Sequence, residues 1–439
     1  MEPNTERAFS HPLPELPRVR EEARKRVLVI GAGAVGLSSA LWLLRAGHLV
    51  TVCDPAPPLP GINYSQSASF GNACAIALAA CIPVSMPGLA MDVPRMLLDR
   101  EGPLSIYWQD FPCLTGWLVE FLKAGRPDRV REIVATLARL LHAADAGLAP
   151  LIEESGAAHL VRRTGCLYLY PTQEAFRKSR GSMQMREEQG VRMRVLDADE
   201  IRDREPALAP RYRKGVDFQD AYSLDSPEQC MRLFARAIEA RGANFVRSTV
   251  AGIAGTSSGV MARLASGESI TADKVVLAGG AWSGKLAQGL GDRIPLNTER
   301  GYHVMYPSAG NLLSSPICYP DHGFYITPMA DGLRSAGTVE LGGLDRPARK
   351  VRTDVIDRVT RMLIPGVGDA GSTWLGFRPS MPDSLPVIGT SPRNPDVIYA
   401  FGHGHVGLTL CGITGRLVSE LVSGIAPCVD LYPLRPDRF

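Results

Sequence analysis

The 439-residue sequence has no closely paired cysteines, no residue spacing typical of a metal site, and little excess of one charge. Its nine cysteines are dispersed, with no Cys-x-x-Cys pair and no histidine spacing suited to zinc, so we predict reduced thiols and no metal site. A redox pair of Cys74 and Cys81 is the alternative. The net charge is only +3 and the basic residues are scattered, which argues against nucleic-acid binding.

Long apolar runs free of helix breakers are scarce too. The apolar stretch of residues 73–91 is Ala-rich and interrupted by Pro83 and Pro87, which makes a continuous membrane-spanning helix a poor interpretation. Residues 1–25 contain four prolines and many charges without an apolar core, so they predict a flexible extension rather than a signal peptide. We therefore expect a cytoplasmic protein, with peripheral contact to the inner face of the membrane left open.

The composition is that of a globular chain, with 45% hydrophobic residues and 44 glycines, and the length predicts two domains or one elaborated α/β unit. A helix with a capping serine is predicted from Ser226 to Gly242, followed by a meander of strands near 244–251, 259–265 and 269–278. Apolar periodicity predicts further helices at 128–147, 352–363 and 406–422, and strands at 166–170, 300–307, 323–328, 333–340 and 397–401.

A glycine-rich turn near the N-terminus marks a βαβ unit. The strand 27–30 is apolar at every position, a helix with apolar residues at helical spacing follows and ends at Gly47, and residues 48–53 form the next strand. The turn between strand and helix reads Gly31-Ala32-Gly33-Ala34-Val35-Gly36, which is typical of dinucleotide binding. Asp54, 23 residues after Gly31, is placed to accept hydrogen bonds from a ribose. A glycine turn without a nucleotide is the alternative.

A second glycine-rich loop, Phe401-Gly402-His403-Gly404-His405-Val406-Gly407-Leu408-Thr409, follows a strand and opens a helix near the C-terminus. Backbone N–H groups at a helix N-terminus carry partial positive charge, which would stabilise the negative charge that a flavin gains on reduction. A phosphate loop and a plain turn remain alternatives on these residues alone. The first glycine turn does not separate FAD from NAD.

Five blocks of sequence, taken in order, resemble the D-amino-acid oxidase superfamily of FAD-dependent oxidoreductases, and most strongly the bacterial D-amino-acid dehydrogenases. Glycine oxidase and sarcosine oxidase are more distantly similar. The resemblance covers residues 25–439. The blocks are the turn at 31–36, Ser69-Phe70-Gly71-Asn72-Ala73, Val276-Leu277-Ala278-Gly279-Gly280-Ala281-Trp282-Ser283, Gly376-Phe377-Arg378-Pro379-Ser380-Met381-Pro382-Asp383, and the loop at 402–409.

The resemblance implies an α/β fold in which a Rossmann-like FAD-binding domain is interwoven with a substrate domain built on an antiparallel sheet. The FAD-binding domain would comprise residues 26–85, 196–297 and 373–439, and the substrate domain residues 86–195 and 298–372. The two glycine-rich loops and the resemblance together assign to the cofactor Gly31, Gly33, Ala34, Val35, Gly36, Asp54, Ser69, Asn72, Ala73, Val250, Gly279, Trp282, Gly404, His405, Val406, Gly407, Leu408 and Thr409.

Four residues are the candidates for handling the substrate. Arg378 would bind a substrate carboxylate through its guanidinium fork, and Tyr325 would assist it, as the matching residues do in glycine oxidase. His303 and His405 would line the pocket or handle the amine proton. A packing arginine, a half-buried strand tyrosine and structural histidines are the alternatives.

The resemblance implies oxidative deamination of a D-amino acid, by hydride transfer from the α-carbon to flavin N5, to an imino acid that hydrolyses to a 2-oxo acid and ammonia. A quinone or oxygen would accept the electrons. The alternatives are oxidation of D-proline, D-hydroxyproline, glycine or sarcosine, an NAD-dependent dehydrogenase, and a non-catalytic flavin-binding subunit. Asp54 stands where relatives more often have glutamate, and residues 219–225 depart from the dehydrogenase pattern, which leaves the substrate open.

Overall fold

The computed structural model describes residues 11–88 and 104–439. Residues 1–10 of the predicted N-terminal extension and residues 89–103 of the predicted substrate domain lie outside this range. From residue 11 to residue 25 the chain is mostly exposed, and its one regular element is a single 3-10 turn at Glu21–Ala23.

Two glycine-rich loops lie among regular elements that are numbered here in chain order. The helices are α1 (Ala34–Ala46), α2 (Phe111–Ala124), α3 (Pro127–Glu154), α4 (Gln173–Lys178), α5 (Arg180–Glu188), α6 (Ala198–Arg204), α7 (Pro227–Ala240), α8 (Ser283–Gly289), α9 (Lys350–Leu363) and α10 (Gly407–Ser423). The strands are β1 (Arg26–Ile30), β2 (Leu49–Cys53), β3 (Ala75–Ile76), β4 (Leu104–Ile106), β5 (Val161–Arg162), β6 (Cys166–Tyr170), β7 (Arg194–Leu196), β8 (Lys214–Phe218), β9 (Tyr222–Leu224), β10 (Asn244–Val246), β11 (Val250–Thr256), β12 (Gly259–Leu264), β13 (Ser269–Ala272), β14 (Lys274–Leu277), β15 (Asn297–Tyr306), β16 (Ile317–Tyr319), β17 (Phe324–Met329), β18 (Gly332–Leu341), β19 (Thr373–Ser380), β20 (Val387–Thr390) and β21 (Val397–Phe401).

A six-stranded sheet in the order β10-β2-β1-β14-β21-β20 carries the predicted βαβ unit. Its strands pair in parallel, apart from the antiparallel pair β20 and β21. Val27 and Val29 pack under helices on one face, while Leu28 and Ile30 pack against the β11-β12-β13 meander on the other. Burial on both faces explains why β1 is apolar at successive positions.

The predicted strand at 269–278 is divided in the structure. Its first half, β13, belongs to the meander, and its second half, β14, joins the parallel sheet. Asp273 lies at the break, where its carboxylate accepts the backbone N–H of Arg26 and pairs with the Arg26 guanidinium at 2.8 Å. The charged residues Asp273 and Lys274 interrupt the apolar pattern at the break, and the strand-pairing partner changes there.

The second large sheet of the protein has nine strands and is mainly antiparallel. It includes β8 and β19, whose residues the sequence analysis had assigned to the FAD-binding domain. The expected boundaries would therefore divide this sheet between the two domains. β19 pairs with β15 from Asn297 opposite Ser380 to Val304 opposite Thr373, and β8 pairs with β6. Backbone hydrogen bonds to neighbouring strands, which sequence blocks do not reveal, decide to which sheet a segment belongs.

Helix α10 lies in the core of the part of the protein that contains the six-stranded sheet. It packs against α1 and α3, and its glycines lie against both helices: a Cβ at Gly415 would be 2.6 Å from the backbone of Ser38, and one at Gly412 would be 2.5 Å from that of Gly147. The segment Gly404–Ser423 is long and apolar enough to cross a membrane, but 83% of its most apolar window is buried inside the protein. Burial in the core therefore accounts for its apolar composition.

We expect Gly147→Ala to destabilise the fold by about 1–3 kcal/mol, because the added methyl would lie 2.5 Å from the backbone nitrogen of Ile413 and force α3 and α10 apart. The matched control is Gly116→Ala on the exposed part of α2, where a Cβ meets nothing within 4 Å. That control should gain about 0.5–1 kcal/mol from helix propensity. Urea unfolding measures both, and equal midpoints for the two variants would contradict the close packing.

Candidate active site

A cavity of about 760 Å³ lies between the two sheets, at the carboxyl ends of the parallel strands. Every predicted cofactor residue lines it except Gly36 and Thr409, and the predicted substrate residues Tyr325, Arg378 and His405 line the same cavity. The fold thus brings together residues that are as much as 378 positions apart in sequence, from Ile30 to Leu408.

Gly36 and Thr409 shape the cavity from behind its wall. A Cβ at Gly36 would overlap the carbonyl oxygen of Gly31, so glycine there lets α1 approach the turn. The hydroxyl of Thr409 accepts the backbone N–H of Ala77 at 3.0 Å and thereby holds a lining segment of the chain. Gly36 therefore acts through close packing and Thr409 through a hydrogen bond, and neither residue lines the cavity.

The first glycine turn points the N-terminus of α1 into the cavity. Gly31 has φ 107°, a conformation that favours glycine, and a Cβ there would overlap the carbonyl oxygen of Ala278. The N–H of Ala34 donates to the hydroxyl of Ser69 at 2.9 Å, which ties the start of α1 to the segment at residues 67–72. A helix N-terminus with adjacent donors is suited to an anionic group such as a pyrophosphate.

Asp54 fixes this turn from the end of β2. Its two carboxylate oxygens accept the backbone N–H groups of Ala32 at 2.8 Å and Ala56 at 2.7 Å. Burial raises the pKa of Asp54, and these two hydrogen bonds oppose the shift. Each carboxylate oxygen retains a lone pair that can accept a hydroxyl from a ribose.

The second glycine-rich loop enters the cavity as a 3-10 turn, Gly404–Val406, that leads directly into α10. Its two histidines differ. His403 forms a hydrogen bond with the Thr414 hydroxyl at 2.9 Å, and burial lowers its pKa to about 3. His405 keeps 41% of its side chain exposed, and its Nε2 atom lies 2.7 Å from Oε2 of Glu299.

Arg378 contributes a cation to the cavity wall. Its guanidinium packs on Gly301, where a Cβ would overlap it, and donates one hydrogen bond to the carbonyl of Thr338 at 3.2 Å. Burial lowers the pKa of Arg378, while the charge of Glu299 raises it. Within residues 11–88 and 104–439, no carboxylate lies within ion-pair distance of this guanidinium. It therefore has donors to spare for an anion in the cavity.

Tyr325 has a partner that the sequence analysis did not identify. Its hydroxyl lies 2.5 Å from that of Tyr168, and the two rings meet edge to face with centroids 6.1 Å apart. Burial raises the pKa of both tyrosines well above the usual value, so both hydroxyls are neutral. One of them donates to the other in this contact. Tyr168 was visible in the predicted strand at 166–170, but the pairing of β6 with β16, and of β16 with β17, was not.

His303 is not in the cavity lining, which corrects its expected role in handling the substrate. It is 2% exposed, stacks on Trp374 with ring centroids 5.2 Å apart, and contacts the carbonyl of Gly71 through Nδ1 at 3.0 Å. Burial and the nearby charge of Arg334 lower the pKa of His303 to about 3. A neutral imidazole donating to a backbone carbonyl is a structural support.

His303 belongs to a group of side chains that hold the loop at residues 70–74. Arg334 donates to the carbonyls of Phe70 and Asn72, both at 3.0 Å, and Thr327 donates to that of Ala73 at 2.8 Å. Four consecutive carbonyls of a cavity-lining loop are thus bound by side chains of the nine-stranded sheet. Arg334 and Thr327 had no distinguishing sequence signal, because their function depends on which loop the sheet faces.

Glu299 is the second functional candidate that the sequence analysis missed. It is 2% exposed and accepts the hydroxyl of Ser380 at 2.6 Å in addition to the contact with His405. Burial acts to raise the pKa of Glu299, but the charge and hydrogen bond of His405, together with Ser380 and Arg378, outweigh burial and lower it to about 2. Glu299 lies one position before the strand predicted at 300–307 and next to Arg300, so no motif distinguished it in the sequence.

Comparison with known proteins agrees with these features. Residues 26–421 match the family described as "DAO: FAD dependent oxidoreductase". The chain is 38% identical over 421 residues to a protein of Bradyrhizobium diazoefficiens named D-amino-acid oxidase, covering 94% of this chain and 99% of that protein. It is 33% identical over 428 residues to a D-amino acid dehydrogenase of Methylobacterium nodulans, with coverage of 94% and 99%.

Among solved structures, glycine oxidase from Geobacillus kaustophilus has the same fold, with a TM-score of 0.73, 21% identity, and coverage of 95% of this chain and 99% of that one. The comparisons confirm the predicted fold class and the prediction of FAD. The turn at Gly31, the acceptors of Asp54 and the helix start at Gly407 fit this cofactor. The chain therefore belongs to the DAO family of FAD-dependent oxidoreductases.

Proposed function

We propose that this protein oxidises a D-amino acid to the corresponding imino acid, which water then hydrolyses to a 2-oxo acid and ammonia. The observation that carries the proposal is Arg378, a guanidinium in the cavity wall with unused hydrogen-bond donors. The names of the two relatives, D-amino-acid oxidase and D-amino acid dehydrogenase, support the same substrate class.

The residues of the cavity would act mainly by binding and orientation. FAD, when bound, supplies the acceptor for the hydride that leaves the α-carbon. Arg378 would bind the substrate carboxylate through two parallel hydrogen bonds, and the neutral hydroxyl of Tyr325, held by Tyr168, would donate a third. A substrate fixed at its carboxylate presents its α-carbon in one orientation, which lowers the entropic part of the barrier.

The test of this proposal is anaerobic mixing of the FAD-loaded protein with both enantiomers of a set of amino acids, together with D-proline, glycine and sarcosine. We expect the visible absorbance of the flavin to bleach fastest with a D-amino acid. Faster bleaching by D-proline would assign the protein to cyclic imino acids, and faster bleaching by glycine or sarcosine to the smallest amines. No bleaching by any compound would support a non-catalytic flavin-binding subunit.

A second measurement distinguishes between oxygen and a quinone as the electron acceptor. Hydrogen peroxide formed in air at the rate of substrate consumption would identify an oxidase. Turnover that needs an added quinone or dye would identify a dehydrogenase.

Arg378→Ala should raise KM for a carboxylate substrate by roughly ten- to a hundredfold or more, because each lost charge-assisted hydrogen bond contributes about 1.5–3 kcal/mol. The same factor should appear in the Kd of a non-reacting carboxylate measured from the flavin spectrum. Arg263→Ala, at an exposed position of β12, is the matched control and should change neither quantity. An unaltered Kd in Arg378→Ala would remove this residue from the substrate site.

Asp54→Ala should weaken FAD binding by roughly ten- to a hundredfold, because the N–H groups of Ala32 and Ala56 lose their acceptor and the ribose loses a partner. Titration of the apoprotein with FAD, followed by flavin fluorescence, gives the Kd. Asp273→Ala is the control, since Asp273 also accepts a backbone N–H, at 2.7 Å from Arg26, but lies outside the cavity lining. Equal effects of the two substitutions would contradict a specific role for Asp54.

A further inference from the structure

A proton must leave the substrate before hydride transfer, and this requirement rests on the proposed function. At neutral pH an amino acid carries an ammonium group, whose nitrogen has no lone pair to donate as the hydride leaves the α-carbon. The neutral amine has that lone pair. A proton acceptor close to the carboxylate-binding residue would therefore raise the fraction of reactive substrate at neutral pH.

His405 is the side chain in the lining of the cavity that is placed for this task. It lies in the turn Gly404–Val406, which packs against β19, the strand of Arg378. Glu299 contacts His405 at 2.7 Å and is the register partner of Arg378 on the adjacent strand, and the charge of Arg378 helps to lower the pKa of Glu299. His405 and Arg378 are therefore both neighbours of Glu299 in the cavity wall.

The contact with Glu299 determines which nitrogen of His405 is available. Glu299 accepts the Ser380 hydroxyl with one oxygen and contacts Nε2 of His405 with the other. An ionised carboxylate can only accept hydrogen bonds, so Nε2 must carry a proton. In the neutral ring the lone pair is then on Nδ1. Within the described residues, the hydrogen bond to Glu299 is the ring's one polar contact, which leaves Nδ1 for a ligand.

We propose that Glu299 and His405 form a carboxylate–imidazole dyad in which Glu299 orients the ring and Nδ1 of His405 accepts a proton from the substrate ammonium. The N–H bond of the ammonium breaks, its electron pair stays on the substrate nitrogen, and an N–H bond forms at Nδ1. The resulting imidazolium is stabilised by the Glu299 carboxylate, as an anion beside a developing cation should do. His405 is the catalytic residue in this step, and Glu299 is a positioning residue.

Among residues 11–88 and 104–439, Glu299 on β15 is the charged group in contact with His405, and Arg378 on β19 is the register partner of Glu299. On α10, Arg416 pairs with Glu420 at 2.7 Å, and on β15 the next residue, Arg300, pairs with Glu340 at 3.0 Å.

The kinetic test is the pH profile of kcat/KM for His405→Gln in the FAD-loaded enzyme. We expect kcat/KM to fall by roughly 10²–10⁴-fold at pH 7, the usual range for loss of a general base. It should then recover by about tenfold per pH unit as the pH rises, because the substrate loses its own proton in solution. His159→Gln, an exposed histidine outside the cavity lining, is the control and should keep the profile of the unaltered protein.

Glu299→Gln separates orientation from packing. Glutamine has nearly the same shape, and its oxygen can still accept from Nε2, but it carries no charge to stabilise the imidazolium. We expect kcat/KM at pH 7 to fall by about tenfold or more, with partial recovery at high pH. A purely structural role for Glu299 would instead lower kcat/KM by the same factor at every pH.

Nitrogen NMR of histidine-labelled holoenzyme provides a readout that does not depend on turnover. The resonances that disappear in His405→Gln assign this ring, and above its titration they should show the tautomer with the proton on Nε2. The opposite tautomer, or parallel pH profiles for His405→Gln and the unaltered protein, would overturn the dyad. Failure of the proposed function is distinct, because no amino acid would then bleach the flavin of the unaltered protein at any pH.

Discussion

A buried carboxylate joins the two halves of the cavity wall. Glu299 belongs to the nine-stranded sheet, yet its oxygens bind Ser380 on the neighbouring strand and His405 in the loop that begins α10. A carboxylate in a protein interior is costly unless hydrogen bonds and opposite charges surround it. The relative placement of strand β19 and this loop is thereby fixed, because a displacement of either would leave the charge of Glu299 without a partner.

Hydrogen bonds from the nine-stranded sheet also fix a second part of the cavity lining, the loop at residues 70–74. The loop at residues 70–74 has no regular structure, but His303, Arg334 and Thr327 bind four of its carbonyls in succession. Buried backbone groups need such partners, and here one sheet supplies all of them. The nine-stranded sheet therefore has two functions. It carries Tyr325 and Arg378, for which we propose a role in binding the substrate, and it positions two loops that the sequence assigns to the cofactor.

The elements predicted from apolar periodicity and from glycine and capping signals are present in the structure. The helix expected at 406–422 is α10, and the capped helix from Ser226 is α7, with the Ser226 hydroxyl accepting the N–H of Gln229 at 3.2 Å. The strands expected at 244–251 and 269–278 are each two strands in different sheets, and β8 and β19 belong to the larger sheet. Local pattern specifies that a segment is extended, whereas its neighbours in space are set by long-range pairing.

The sequence by itself determined the family, the cofactor and a part of the cavity lining, because the glycines, Asp54 and Arg378 occur in short motifs whose chemistry is local. Only the tertiary structure decided the partners of those residues. In the folded protein Tyr168 contacts Tyr325 and Glu299 contacts His405, while His303 lies outside the cavity lining and contacts the carbonyl of Gly71. The physical reason is that the charge and the available nitrogen of a side chain depend on the groups that surround it after folding, and these come from distant parts of the chain.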